Sequence, residues 1–196
     1  PNRWDGSPSG EALVQYQTFF FLSAAEWNGN PLGFWSDGTT IWVGDWLLSQ
    51  LFSYQLDGIK RDPDRDFDVL ISSGNRSARG LWSNGETMWV SDEFVDKIFA
   101  YDLKSRMRRP DLDLNTLVAA GNESPTGLWS NGETIWVADD GDDKIYAYNL
   151  ASEEREPKHD FDTLVAAGNT GIRDLWSDGR TLWVADVGSW TPWGGW

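Results

Sequence analysis

Four stretches of the chain align without gaps at one fixed spacing. They are Gly33 to Asp45 (GFWSDGTTIWVGD), Gly80 to Asp92 (GLWSNGETMWVSD), Gly127 to Asp139 (GLWSNGETIWVAD) and Asp174 to Asp186 (DLWSDGRTLWVAD), each starting 47 residues after the one before. The first three are followed by QLFSYQL, KIFAYDL and KIYAYNL, and then by DFDVLISSGN, DLNTLVAAGN and DFDTLVAAGN. A repeat of this length means that one supersecondary unit is used again and again. Each copy buries its apolar surface on its neighbours.

Each unit reads as short strands. Asp37-Gly38, Asn84-Gly85, Asn131-Gly132 and Asp178-Gly179 are two-residue turn signals of the type I′ kind, which need positive φ at both positions. Such a turn predicts that Ser83 faces Glu86, Trp82 faces Thr87 and Leu81 faces Met88. Trp82, Thr87, Trp89 and Ser91 then share one face of the hairpin, and Leu81, Met88 and Val90 share the other. Both faces are apolar, so the sheet is covered on both sides. In an identical stack, the Trp face of one unit meets the aliphatic face of the next. A third strand is expected at Lys97 to Leu103 and a fourth near Asp113 to Val118.

Repeated four-stranded antiparallel units with both faces buried describe the blades of an all-β β-propeller. A linear solenoid is the other architecture considered. Its units are usually shorter, and both of its ends need polar caps. The run GLWSNGETIWVADDGDDKIYAYNL resembles the tryptophan-rich propeller repeats of uncharacterised secreted microbial proteins, which are loosely similar to NHL-type propellers. The resemblance covers Leu32 to Asp186. It implies a propeller fold and an extracellular setting, and it carries no catalytic residues across.

The units divide the chain as one propeller domain over residues 1–196. Residues 33–79, 80–126 and 127–173 are full blades, and 174–187 holds the inner strands of a fourth. Pro192 falls where the other units have Leu51, Ile98 and Ile145, and proline has no N–H for an interior strand. Residues 1–32 hold the complement. Leu13 to Thr18 (LVQYQT) matches Leu51 to Leu56 (LFSYQL), and FFFLSAA resembles DTLVAA. A fourth blade split between the termini is therefore expected. It closes either in cis, as a four-bladed ring, or in trans, by adding a strand to a neighbouring molecule.

The termini are also the most aromatic parts of the chain. Residues 188–196 read GSWTPWGGW, with no charge and with Trp190, Trp193 and Trp196. Three covers are open to this tail: its own propeller, another subunit, or a ligand. Leu13, Val14, Tyr16, Phe19, Phe20, Phe21, Trp190, Pro192, Trp193 and Trp196 are the expected closure or inter-subunit contacts.

With 31 acidic and 16 basic residues the net charge is −15, which repels nucleic-acid phosphates and anionic lipid. No apolar stretch approaches the roughly 20 residues of a membrane-spanning helix. The absence of cysteine excludes thiol chemistry and cysteine-ligated zinc. His159 is the only histidine, and no nucleophile motif or phosphate loop is present. These features lead to the expectation that the chain is not an enzyme.

Asp45, Asp92, Asp139 and Asp186 recur at the end of the second strand. They either cap the following turn or ring one face as cation ligands. Asp139, Asp140, Asp142 and Asp143 (DDGDDK) offer oxygen ligands suited to calcium, without the spacing of the twelve-residue calcium loop. The eight repeat tryptophans are expected in the core. Trp46 is the expected exposed aromatic and the candidate ligand platform. Asn75 and Asn122 head glycosylation sequons.

The leading functional expectation is an extracellular structural subunit. It partners copies of itself through terminal strand or tail exchange and builds a filament. The alternative is a monomeric module that binds glycans or a cell-surface protein.

Overall fold

A computed structural model describes residues 29–57, 60–69, 74–118, 121–163 and 169–187. Among the described residues the regular structure is four antiparallel sheets in sequence order, one per repeat, with only short 3-10 turns besides. The first sheet holds β1 (Pro31–Ser36), β2 (Thr40–Asp45), β3 (Gln50–Gln55), β4 (Lys60–Arg61) and β5 (Phe67–Asp68). The second holds β6 (Leu81–Ser83), β7 (Thr87–Asp92), β8 (Lys97–Asp102) and β9 (Leu114–Asn115). The third holds β10 (Pro125–Ser130), β11 (Thr134–Asp139), β12 (Lys144–Asn149) and β13 (Phe161–Asp162). The fourth holds β14 (Ile172–Ser177) and β15 (Leu182–Asp186). The expected fourth strand is thus only two residues long in the second unit, where Thr116–Val118 turns into a 3-10 helix.

The hairpin register differs from the expected one. Ser83 pairs with Met88, Trp82 with Trp89 and Leu81 with Val90, two residues beyond the type I′ register. Gly85 has φ 93°, but Asn84 is not among the residues with positive φ. Instead, the Asn84 carboxamide oxygen accepts the N–H groups of Glu86 and Thr87, both at 2.9 Å. Asp37, Asn131 and Asp178 do the same in the other units. A side chain that replaces backbone pairing in this way makes a longer turn. Because side chains alternate with period two, a slip of two residues keeps every side chain on its predicted face.

The corrected register stacks the paired tryptophans. Trp35 and Trp42 lie 5.5 Å apart between ring centroids, Trp82 and Trp89 5.3 Å, and Trp129 and Trp136 5.3 Å. The face they form packs on the aliphatic face of the next sheet. Trp35, Trp42, Leu51 and Phe67 meet Leu81, Met88, Val90, Phe99 and Tyr101. Trp82, Trp89 and Ile98 meet Leu128, Ile135, Val137 and Tyr148. Trp129, Trp136 and Ile145 meet Ile172, Leu175, Leu182 and Val184.

The first strands β1, β6, β10 and β14 lie beside one another, so the sheets fan out from a shared inner edge. Glycine sets how close they come. An ideal Cβ on Gly33 would sit 1.7 Å from the Arg79 carbonyl oxygen, one on Gly80 2.0 Å from that of Thr126, and one on Gly127 2.4 Å from Asp174 Cα.

The outer edge of each complete unit is closed by a feature that the sequence reading did not pick out, an Arg-x-Pro-x-x-Asp run at the same period. It comprises Arg61, Pro63 and Asp66, then Arg108, Pro110 and Asp113, then Arg155, Pro157 and Asp160. Proline opens a 3-10 turn in each run. Arg108 makes two parallel bonds to Asp113, at 2.6 and 2.5 Å, and donates to the Ala100 carbonyl at 2.8 Å. Its guanidinium lies 4.9 and 5.2 Å from the ring centres of Phe99 and Tyr101. Arg61 and Arg155 repeat the arrangement. The residue before each aspartate uses its carbonyl to accept the indole N–H of Trp42, Trp89 or Trp136, at 3.1, 3.2 and 3.0 Å.

Every substantial strand packing between sheets joins consecutive sheets, so the described residues form an open array. The split fourth blade involves residues 1–28 and 188–196, which lie outside the described residues.

Two substitutions test this account. Gly80→Ala should lower the unfolding free energy by about 1–3 kcal/mol, because the added methyl meets rigid backbone. Arg108→Ala should cost about 2–4 kcal/mol, because it leaves a largely buried Asp113 carboxylate unpaired. Urea unfolding followed by tryptophan fluorescence reads both.

Candidate functional site

The fourth sheet has no sheet beyond it among the described residues. Leu182 and Val184 pack back on Trp129 and Trp136. The other face of β15 presents Thr181, Trp183, Ala185 and Val187 to solvent, with Trp176 beside them. Trp176 and Trp183 stack at 4.8 Å yet are 57% and 47% exposed, whereas Trp42 and Trp89 are each 3% exposed. The expectation that all eight repeat tryptophans lie in the core is therefore corrected for these two. The tryptophan face is covered only where another sheet follows. The outer edge of β15 is also unpaired among the described residues, whereas β2, β7 and β11 each pair six residues with a third strand.

The other end of the array is complementary. Phe34 on β1 is 61% exposed, although its counterparts Leu81, Leu128 and Leu175 are buried against a preceding sheet. Leu32 is exposed beside it.

Asp174 marks the inner edge of the open face. It occupies the position of Gly33, Gly80 and Gly127, and its carboxylate accepts the Leu175 N–H at 2.9 Å. Burial pushes its pKa up to about 6, and the Leu175 N–H opposes the shift.

Leu13, Val14, Tyr16, Phe19, Phe20, Phe21, Trp190, Pro192, Trp193 and Trp196 lie outside the described residues. Trp46 is not an open platform. It is half-buried, donates its indole N–H to Glu93 of the next unit at 2.7 Å, and tilts against Phe94. Asp45, Asp92 and Asp139 are fully buried, and each accepts backbone N–H groups from two segments. Asp45 takes those of Asn30, Leu47 and Leu48. Asp92 takes those of Arg76, Ser77 and Phe94, and Asp139 those of Ser124, Gly141 and Asp142. They tie loops together rather than ringing a face. Burial pushes the Asp92 and Asp139 carboxyls up, against the pull of those donors.

The DDGDDK aspartates do not converge on a calcium site. Asp140 accepts a hydrogen bond from the Arg173 guanidinium on β14 at 2.5 Å, and Asp142 accepts the Tyr146 hydroxyl at 2.5 Å. Among the described residues no group of three or more His, Cys, Asp or Glu is placed to hold a metal. The sequon asparagines serve the interior. Asn75 and Asn122 are fully buried, and Asn122 donates to the Tyr148 hydroxyl at 2.6 Å. His159 is exposed, with Glu156 at 3.3 Å from Nδ1.

No family profile matches the chain, and no curated protein matches it. Solved structures do. Virginiamycin B lyase from Staphylococcus aureus is 15% identical, with a TM-score of 0.53 over 82% of this chain and 50% of that one. Glutaminyl cyclase from Myxococcus xanthus is 16% identical, with a TM-score of 0.58 over 81% and 69%. A nidogen/laminin complex gives 16% identity and a TM-score of 0.55 over 74% and 51%. The chain spans about half the length of the first solved structures it matches. These likenesses support a β-propeller type of fold. They also overturn the expectation that the chain is not an enzyme, because a lyase and a cyclase share its architecture. The lack of a local motif was a poor reason for exclusion. A fold hosts many functions, and residues brought together from separate repeats leave no contiguous signature.

The folded-state pKa of Asp174 lies above the ordinary carboxyl value, so ionising it opposes folding at neutral pH. The penalty disappears as the pH falls below that ordinary value. Asp174→Asn should therefore raise stability at pH 7.5 and leave it nearly unchanged at pH 3.5. Chemical denaturation at the two pH values checks this.

Proposed function

We propose that the chain is a structural, self-associating propeller subunit whose incomplete fourth unit is finished by strand addition from another copy. The observation that carries this reading is β15. The matching strand has a full third-strand partner in each of the first three units, but here its outer edge is open among the described residues. An unpaired edge beside an exposed tryptophan face is a template for another strand. The segment Leu13 to Thr18 matches the missing third strand in sequence, and the uncharged tail follows β15 directly. Exchange between unlike ends of identical subunits is a head-to-tail contact, which builds a filament when the rotation between copies does not close a ring. The extracellular setting rests on the resemblance to secreted repeats.

A second reading, a module that binds glycan or protein, has one observation in its favour. Phe94 is exposed beside Trp46, with the Arg76 guanidinium 5.8 Å from its ring centre.

The two readings separate in one experiment. Particle mass and shape would be measured by light scattering and negative-stain imaging for the full chain, for a form lacking residues 1–28, and for a form ending at Gly188. Strand exchange predicts polymers from the full chain and small particles from both truncations. Compact monomers in all three would refute it and direct attention to ligand screening at Trp46 and Phe94.

A further inference from the structure

The repeat supplies its own internal control. Side chains that build the unit recur every 47 residues, so a cluster found at one junction and missing from the next is not demanded by the fold. Such a cluster lies between the first and second sheets. A cavity of about 560 Å³ opens there, lined by Trp42 and by loops of both units. Arg65, Lys104, Arg106 and Arg109 stand around it. Their counterparts at the next junction are Leu112, Ala151, Glu153 and Glu156. Four of the chain's 16 basic residues thus gather at one cleft, in a protein of net charge −15.

Some charged groups around the cleft are already committed. Asp37 accepts the N–H groups of Thr39 and Thr40 at 2.8 and 2.7 Å, and Asp102 accepts that of Ser105 at 2.6 Å. Arg109 pairs with Asp111 at 3.2 Å. Arg65 and Arg106 are anchored differently, chiefly by uncharged oxygen. Arg65 donates to the Thr40 hydroxyl at 2.6 Å, with the Asp62 carboxylate 3.6 Å from its Nε. Arg106 donates across the junction to the Asp64 carbonyl. A guanidinium has five N–H donors, so each is held in place with others unused. The Lys104 ammonium has no partner among the described residues. Two exposed acceptors complete the walls, the Asp64 carboxylate from the first unit and that of Glu86 from the second. A second cavity, of about 490 Å³, shares Arg65 and continues past Thr39, Gln55 and Asp62.

We propose that this cleft binds a small sugar acid, a hydroxylated ring that carries one carboxylate or phosphate group. The oxyanion lies between Arg65, Arg106 and Lys104, because planar guanidinium forks match its oxygens. The ring hydroxyls donate to Asp64 and Glu86. The volume is that of a small-molecule site. A long polyanion is disfavoured, since beyond the cleft it meets a protein of net charge −15. The site is independent of the self-assembly reading. Its residues all belong to the first two units, and none lies on the open fourth sheet.

Isothermal titration calorimetry of the full chain in low-salt buffer tests this. The probes are glucuronate and glucose 6-phosphate, with glucose, acetate and inorganic phosphate as controls. At least one of the two acids should bind roughly ten-fold more tightly than every control, and the tighter one identifies the oxyanion. Arg106→Glu and Lys104→Ala install what the third unit carries at those places, Glu153 and Ala151. Arg106 and Glu153 also share a left-handed backbone, with φ of 63° and 61°. Both variants should therefore fold as the native chain does, which near-UV circular dichroism checks. Arg106→Glu should weaken the bound acid roughly ten-fold or more, and Lys104→Ala should weaken it less. Failure of the native chain to bind either acid would overturn the proposal, as would equal binding by the native chain and Arg106→Glu. Acids bound no better than acetate and inorganic phosphate would overturn the sugar assignment and leave a simple anion site. Particle mass reads self-association separately, so the two readings stand or fall apart.

Discussion

The structure depends on one contact made three times, a face of paired tryptophans pressed on the aliphatic face of the next sheet. The contact works because the first strands approach with no side chain between them. Gly33, Gly80 and Gly127 let backbone meet backbone, so the indoles behind them reach across the gap. Every other regularity serves this arrangement. The Asx-type turn places Trp82 opposite Trp89, and the 3-10 turn after the third strand supplies the carbonyl that holds the inner indole. Burial of several large aromatics per junction is the dominant stabilising term.

Much of the acidic surplus is structural. Three buried aspartates bind loops through backbone N–H groups, and three more lock arginines over the aromatic rings of the third strand. A carboxylate with several N–H donors, or with a bidentate guanidinium, is satisfied in the interior. A negative composition therefore says less about ligands here than it first suggests. The same holds for the sequon asparagines, which are interior residues.

The functional reading follows from where the repeat stops. A stacked array leaves two unlike faces, and these are the faces that the internal junctions consume. The similar solved structures include enzymes and a binding complex, so architecture alone assigns no role. What distinguishes this chain is local: a β15 edge unpaired among the described residues, two exposed stacked tryptophans, and an aspartate where its siblings have glycine.

The unit, its strands and their faces are legible in the chain alone, because side-chain alternation survives even a misplaced turn. The sequence also contained the Arg-x-Pro-x-x-Asp run and the change from Gly127 to Asp174, although neither has meaning without its spatial partners. Arg108 meets Asp113, Phe99 and Tyr101 only once the loop folds back over the third strand. Trp46 looked exposed by loop position, but Glu93, 47 residues on, covers its indole N–H. Which tryptophans are core and which are surface was likewise a tertiary matter. Trp183 sits in nearly the same local sequence as Trp89, and only the presence of a following sheet buries one and not the other. Local pattern fixes which way a side chain points, and long-range packing decides what it meets.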